Sequence, residues 1–148
     1  MHYFVNQHNL KQMDKTKSIL LLEDDTVDVM TIKRAMKQLN FENPLHVVSN
    51  GEEGLEYLKL TKELPGLIIL DINMPKMNGL EFLDHMKQNE QWRIIPVVVL
   101  TTSLDQNDKW SSFQLGIAGY MVKPVDYDRF RDMMDNLKKY WGFSESAN

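Results

Sequence analysis

The sequence alternates five times between a short apolar run and a stretch with helical periodicity, and this alternation limits the fold more than any other feature. The runs are Ser18–Glu23, Leu45–Val48, Leu67–Asp71, Pro96–Thr101 and Gly119–Val122. Each run is long enough for a buried strand and too short for a helix. After the first run, Val29, Ile32 and Met36 recur at steps of three and four, as they do in an amphipathic helix. The pattern predicts a parallel sheet whose strands are joined by helices.

Right-handed crossover connections place helices on both faces of such a sheet. We therefore predict an α/β fold of the doubly wound, flavodoxin-like kind, with five helices and a five-stranded parallel sheet in the order 2-1-3-4-5. Ligands are expected at the carboxyl ends of the strands, near the point where the strand order reverses.

The length of 148 residues suits a single folded domain. We expect residues 1–16 to form a flexible polar leader, residues 17–143 to form the domain, and residues 144–148 to form a C-terminal tail. This division leaves no room for a separate output domain.

The composition excludes several classes of function. No cysteine is present, which rules out disulfides, thiolate catalysis and cysteine-bound zinc, and the four histidines lack metal-ligand spacing. The net charge of −4 gives no electrostatic reason to expect nucleic-acid binding. Because no apolar stretch approaches the ~18 residues of a membrane span and no signal peptide is evident, we expect a cytoplasmic protein.

Acidic, hydroxyl and basic side chains follow the ends of four predicted strands. The carboxyl ends of parallel strands share one edge of the sheet, and the first and third strands are neighbours in the predicted order. We therefore expect Glu23, Asp24 and Asp71 to converge, with Thr101 and Lys123 at the same edge.

Converging carboxylates need a counter-charge, because like charges ~4 Å apart repel by about 4 kcal/mol near a protein surface. Mg²⁺ is a hard cation that binds carboxylates together with phosphate oxygens. In its presence Asp71 becomes a candidate nucleophile toward a phosphoryl group, to which Lys123 and Thr101 would donate hydrogen bonds. The sequence therefore predicts a magnesium site that accepts phosphoryl groups.

A single acid at a strand end is usually a helix cap or a solvated loop residue. Asp25 and Asp28 fit that interpretation, as first-turn acids of the first helix, and we assign them no part in the site. For Glu23, Asp24 and Asp71, the joint placement at one edge favours a functional interpretation.

Four motifs resemble those of the receiver domains of two-component response regulators, over about residues 17–141. The motifs are Ile19–Asp24, Leu70–Gly79, Pro96–Thr101 and Gly119–Pro124, and the spacings match as well, since Thr101 and Lys123 lie 30 and 52 residues after Asp71. The resemblance implies a single-domain response regulator, a signalling phosphoprotein rather than an enzyme, whose phosphotransfer and dephosphorylation are self-catalysed.

The resemblance also implies residue roles in the metal and acceptor site. Asp71 corresponds to the phosphoacceptor, which takes its phosphoryl group from a histidine kinase. Asp24 corresponds to a direct Mg²⁺ ligand and Glu23 to a ligand acting through water. The backbone carbonyl of Asn73 corresponds to the third protein ligand.

A second set of roles concerns the response to phosphorylation. Thr101 resembles the switch hydroxyl that reaches toward the phosphoryl group, and Tyr120 the aromatic switch that moves inward with it. Lys123 resembles the lysine that pairs with the phosphoryl oxygens, and Pro124 the cis-proline that orients it.

A narrower resemblance is to the stand-alone regulators that serve phytochrome-type histidine kinases. It is carried by Ile95–Ser103, Lys123–Asp126 and the Tyr140-Trp141 ending. It implies a sensor histidine kinase or a phosphotransfer protein as partner, signalling through the face formed by helix 4, strand 5 and helix 5, and homodimerisation through that face. Trp110, Phe113 and Trp141 could serve the dimer, with core packing as the alternative.

Three other functions remain as alternatives. An aspartyl phosphatase would need a second acid two residues after its nucleophile, where this chain has Asn73. A receiver-like module that is never phosphorylated would not need the complete set of site residues. A flavin-binding module would need a phosphate loop after the first strand, where the acidic Glu23–Thr26 would repel phosphate.

Overall fold

The computed structural model describes residues 3–5 and 17–141, and within them six strands form one sheet. The strands are β1 (Tyr3–Val5), β2 (Ile19–Leu22), β3 (Leu45–Val48), β4 (Leu67–Leu70), β5 (Val97–Thr101) and β6 (Gly119–Val122). The parallel strands β2–β6 pair in the order β3-β2-β4-β5-β6. This is the predicted order 2-1-3-4-5, so the prediction of a flavodoxin-like fold is confirmed.

The sixth strand, β1, was not predicted. It runs antiparallel to β6 at the edge of the sheet, with Tyr3 opposite Met121 and Val5 opposite Gly119. Residues 3–5 thus depart from the predicted flexible leader, whereas residues 6–16 lie outside the described part of the chain. The sequence Tyr-Phe-Val consists of residues that favour strands, and β6 offers it an edge to pair with.

Five helices connect or follow the parallel strands, as predicted. They are α1 (Thr26–Gln38), α2 (Gly51–Leu60), α3 (Gly79–Lys87), α4 (Gln106–Gln114) and α5 (Tyr127–Tyr140). Each begins directly after an Asp or Asn whose side chain accepts hydrogen bonds from the first turn, namely Asp25, Asn50, Asn78, Asp105 and Asp126. These caps fix where the helices start, at the edge of the sheet where the parallel strands end.

The apolar core lies on both faces of the sheet, because the strands alternate their side chains between the faces. In β2, Ile19 and Leu21 pack with α1 and α5, while Leu20 and Leu22 pack with α2 and α3. Trp141, at the end of α5, belongs to the first cluster and is 1% exposed. Among the described helices, none combines the length and the apolar character needed to cross a bilayer.

Candidate functional site

Three carboxylates meet where the neighbouring strands β2 and β4 end. The two strands are in register, with Leu22 opposite Leu70, and Asp71 N donates to Leu22 O at 3.0 Å. One carboxylate oxygen each from Glu23, Asp24 and Asp71 lies within 4.8 Å of the other two. The structure thus brings together the three acids that the sequence predicted to converge.

The donor set fits a hard divalent cation. Glu23 and Asp71 are buried, at 2% and 7% exposure, while Asp24 is open to solvent, so such an ion could keep part of its water shell. Burial raises the pKa of Glu23 from its ordinary 4.5 to about 7, and the charge of Asp71 adds to the rise while the hydrogen bond from Lys123 opposes it. A cation among the three oxygens would relieve this crowding of negative charge.

Lys123 provides the positive charge in the described pocket. Its Nζ donates to Glu23 Oε1 at 2.6 Å and to Asp28 Oδ2 at 2.9 Å, and lies 4.0 Å from Asp71 Oδ2. Its backbone N–H donates to Thr101 O at 2.8 Å, which continues the pairing of β5 with β6. Burial lowers the pKa of Lys123, but the hydrogen bonds with Glu23 and Asp28 and the charge of Asp71 outweigh it, and the net shift is upward.

Asp28 is the site residue that sequence reasoning missed. It stands in the first turn of α1, where an acid is normally explained by the helix dipole, yet its carboxylate pairs with Lys123. In a capping box the third residue of the helix accepts from the N-cap backbone N–H. Here that N–H, on Asp25, donates instead to Glu23 Oε2 at 3.2 Å. No local sequence signal could have found Asp28, because its partner Lys123 lies 95 residues further along the chain.

The two predicted switch residues are both bonded to the loop between β5 and α4. Thr101 is fully buried, and its Oγ1 accepts from Ser103 N at 3.2 Å. Tyr120 is 3% exposed, and its hydroxyl donates to Ser103 O at 3.3 Å, so the structure shows the ring in an inward position. Ser103 Oγ in turn donates to Asp108 Oδ2 at 2.8 Å, which ties the loop to α4.

The loop between β4 and α3 packs closely against Asp71, the candidate phosphoacceptor. Gly79 N donates to Ile72 O at 2.9 Å, and a Cβ atom at Gly79 would lie only 2.3 Å from Asp71 O. Asn73 N approaches Asp71 Oδ1 at 3.5 Å, a long hydrogen bond. The assignment of the Asn73 carbonyl as a metal ligand stays a prediction.

One implication of the resemblance is wrong. The peptide bond between Lys123 and Pro124 is trans, not cis. Trans is the preferred isomer of bonds to proline by about 0.5–1 kcal/mol. Lys123 reaches Glu23 and Asp28 from this trans backbone.

Known proteins share both the sequence and the fold. The family model of the response regulator receiver domain matches residues 19–135. Rcp1 of Synechocystis is 32% identical over 130 residues, covering 84% of this chain and 88% of the relative, and FilR2 of Methanothrix harundinacea is 32% identical over 145 residues, covering 95% and 94%.

Solved structures agree. The phosphorylated cyanobacterial phytochrome response regulator RcpA superposes with a TM-score of 0.81 at 29% identity, covering 88% of this chain and 97% of that one. A Mn²⁺-bound form of response regulator Rcp1 gives a TM-score of 0.78 at 32% identity, covering 84% and 94%.

Proposed function

The chain belongs to the response regulator receiver family, and we propose that Asp71 accepts a phosphoryl group from the phosphohistidine of a sensor kinase in a Mg²⁺-dependent reaction. One observation carries the proposal. Glu23, Asp24 and Asp71 present oxygens within 4.8 Å of one another, and the Lys123 ammonium lies 4.0 Å from Asp71 at the same edge of the sheet.

In the proposed reaction, a carboxylate oxygen of Asp71 attacks phosphorus in line with the departing imidazole nitrogen of the donor. Positioning and charge stabilisation supply most of the catalysis of such a transfer. Asp24, Asp71 and the Asn73 carbonyl would hold Mg²⁺, with Glu23 acting through water, and the bound ion would supply positive charge to the carboxylate and phosphoryl oxygens. Lys123 and the Thr101 hydroxyl donate hydrogen bonds to the transferred group.

The surface beside the pocket suits a protein donor. Val27 and Met30 on α1 and Val125 after β6 are all more than half exposed, at 67%, 68% and 107%. Val27 and Val125 line a cleft of about 290 Å³ that also includes Lys123. Exposed apolar side chains next to a reactive group favour protein docking. We propose a sensor histidine kinase, of the phytochrome type given the likeness to RcpA and Rcp1, or a phosphotransfer protein.

The proposed output starts from the loop between β5 and α4. A phosphoryl group adds about −1.5 to −2 charges and three acceptor oxygens at Asp71. Drawing the Thr101 hydroxyl toward it would move Ser103, which is bonded to both Thr101 and Tyr120. The change would therefore reach the face formed by α4, β6 and α5, which we propose as the signalling face.

The same face carries the proposed homodimer. Trp110 on α4 is 66% exposed and Leu104 just before α4 is 77% exposed. Phe113 is half-buried, and the buried Trp141 belongs to the core, so Trp110 is the aromatic residue best placed to meet a second copy. We also propose that the protein acts in the cytoplasm, where ATP is available to a histidine kinase. The net charge of −4 gives no electrostatic reason to expect a nucleic-acid partner.

Beryllofluoride, which mimics a phosphoryl group on a carboxylate, tests the proposal at equilibrium. Wild-type protein should bind it only with Mg²⁺, and Asp71→Asn should not bind it. Asp84→Asn, which removes an exposed acid from α3, is the matched control and should bind like wild type. Equal binding by Asp71→Asn would remove Asp71 from its proposed place.

A Mg²⁺ titration by calorimetry tests the ligand set separately. Asp24→Ala should lower the affinity about tenfold or more, because a direct ligand is lost. Undiminished affinity would remove Asp24 from the ligands.

A further inference from the structure

We propose that Asp28 is a positioning residue for Lys123. Its carboxylate keeps the ammonium on the α1 side of the pocket and so weakens the interaction between the ammonium and a phosphoryl group on Asp71. The inference rests on the proposed function, since it concerns the same transfer. It adds a residue to which no part was assigned from the sequence.

The distances show how the ammonium is shared. Lys123 Nζ has three N–H donors, and two bonds are made at 2.6 Å to Glu23 and 2.9 Å to Asp28. The separation of 4.0 Å from Asp71 is too long for a hydrogen bond. The ammonium therefore lies toward Glu23 and Asp28, about 1 Å beyond hydrogen-bond distance of Asp71 Oδ2, and a shift toward Asp71 would weaken its bonds to the other two carboxylates.

The position of Asp28 is fixed by the local structure of α1. Asp25 Oδ1 accepts from Val27 N at 2.8 Å and from Asp28 N at 3.1 Å, which anchors the first turn. Because Asp25 N is bonded to Glu23, the Asp28 carboxylate is not used to close the cap and reaches across to Lys123. The pairing links the start of α1 with the end of β6.

Of the two carboxylates that bind Lys123, that of Asp28 loses its bond to the ammonium at the lower cost. The Glu23 side chain is 1% exposed, so losing its partner would leave a buried charge unpaired. The Asp28 side chain is 36% exposed, so water can replace the ammonium at lower cost. A phosphoryl group on Asp71 therefore competes chiefly with Asp28 for Lys123, and the strength of that pair sets the cost of the shift.

A plain helix-dipole explanation makes a different prediction. A first-turn acid that acts only through the dipole stabilises its helix and leaves the position of Lys123 unchanged. Asp128 is an acid in the first turn of α5, and its described ion pair is with Arg131 on the same helix rather than with a residue of the pocket. Asp128→Asn removes the same charge from the first turn of another helix and is the matched control.

The experiment compares wild type, Asp28→Asn, Asp28→Glu and Asp128→Asn at saturating Mg²⁺. Beryllofluoride affinity is measured, together with the NMR signal of the Lys123 ammonium in the absence of beryllofluoride. Asp28→Asn should bind beryllofluoride about three- to fivefold more tightly, which is the scale of a partly exposed ion pair. Its Lys123 signal should shift, whereas Asp28→Glu, which keeps the carboxylate, and Asp128→Asn should stay near wild type.

The outcomes separate this inference from the proposed function. If wild type binds beryllofluoride and Asp28→Asn binds it no more tightly, the inference is overturned while the acceptor assignment stands. If wild type fails to bind beryllofluoride, the proposed function fails, and the Lys123 signal still decides the contact. An unshifted Lys123 signal in Asp28→Asn overturns the inference in either case.

Discussion

Glu23 joins the two parts of the pocket through its two carboxylate oxygens. Oε1 accepts from Lys123 Nζ at 2.6 Å, and Oε2 accepts from Asp25 N at 3.2 Å. The acid is buried beside Asp71, and burial is the main reason why its pKa rises to about 7. In the absence of metal, its ionisation near neutral pH therefore works against the folded state.

This makes stability depend on pH in a defined direction. The folded pKa of Glu23, about 7, lies above its ordinary value of 4.5, so its stabilising contribution is complete below about pH 4.5 and lost as the pH rises through 7. Urea denaturation with a chelator present compares wild type with Glu23→Gln. From about pH 5 to about pH 8, wild type should lose on the order of 2–3 kcal/mol relative to the variant.

The comparison with Glu23→Gln cancels the titration of the other groups. Lys123, whose pKa is raised above its ordinary 10.5, keeps its charge across this range, so its lost partner adds only a constant offset. A difference between the two proteins that does not change with pH would contradict the proposed cause.

Gly79 is the second residue on which the pocket depends. An added Cβ would lie 2.3 Å from Asp71 O and 2.8 Å from Ile72 Cα, both of them backbone atoms. Gly79→Ala should therefore displace the backbone at Asp71, lowering the unfolding free energy by about 1–3 kcal/mol and weakening Mg²⁺ binding. Calorimetric titration and denaturation measure the two effects.

Gly116→Ala provides a control with a different cause. Gly116 has φ of +80°, but the nearest side-chain atom to an added Cβ is Lys87 Nζ at 3.9 Å. This variant should cost about 1–2 kcal/mol through backbone strain and leave Mg²⁺ affinity unchanged. If Gly79→Ala binds Mg²⁺ like Gly116→Ala, the close approach to Asp71 is not what positions the pocket.

Among the described elements, β1 lies at the outer edge of the sheet, next to β6. It pairs with the outer edge of β6 through three residues, while the described core clusters consist of side chains between Ile19 and Trp141. We propose that residues 17–143 fold without the preceding segment. A chain beginning at Lys17 should keep wild-type beryllofluoride affinity and lose no more than about 1 kcal/mol of stability.

Hydrogen exchange adds a local measurement to the same truncation. Those amides of Gly119–Met121 that point toward β1 should exchange faster once β1 is gone, because that edge of β6 is then open to water. Exchange in β5, which lies between β4 and β6, should stay slow. Loss of folding or of beryllofluoride binding would show that the domain begins before Lys17.

The elements also show what the sequence could predict. Strands β2–β6 and their helices follow from apolar periodicity and from Asp or Asn caps, both local signals. The strand β1 was missed because three residues are too few to show a period, and its pairing with β6 is a long-range contact. Trp141 recurs at helical spacing with Phe130, Met134 and Leu137, and the structure buries all four in the core.

The candidate site divides in the same way. The convergence of Glu23, Asp24 and Asp71 was predictable because parallel strands end at one edge. The pair between Asp28 and Lys123 was not, because it depends on side-chain reach across 95 residues of sequence and on a cap already satisfied by Glu23. Residue type and helix position alone favoured an ordinary dipole acid.

For the whole molecule, the proposed homodimer makes Trp110 the residue to test. With Mg²⁺ and beryllofluoride, wild type should elute as a dimer in size exclusion, and Trp110→Ala should weaken that dimer about tenfold or more, since exposed aromatic residues often dominate interfaces. Leu60→Ala removes another exposed apolar side chain, on α2, and should leave the dimer intact. A monomeric wild type under these conditions would rule out the homodimer as the output.

Transfer of a phosphoryl group to one identified carboxylate is the property on which the whole account depends. Acetyl phosphate supplies the group without a protein partner, and intact mass spectrometry counts the groups added with and without Mg²⁺. We expect one phosphoryl group on wild type with Mg²⁺ and none on Asp71→Asn. Mg²⁺-dependent phosphorylation of Asp71→Asn to the same extent as wild type would contradict the account.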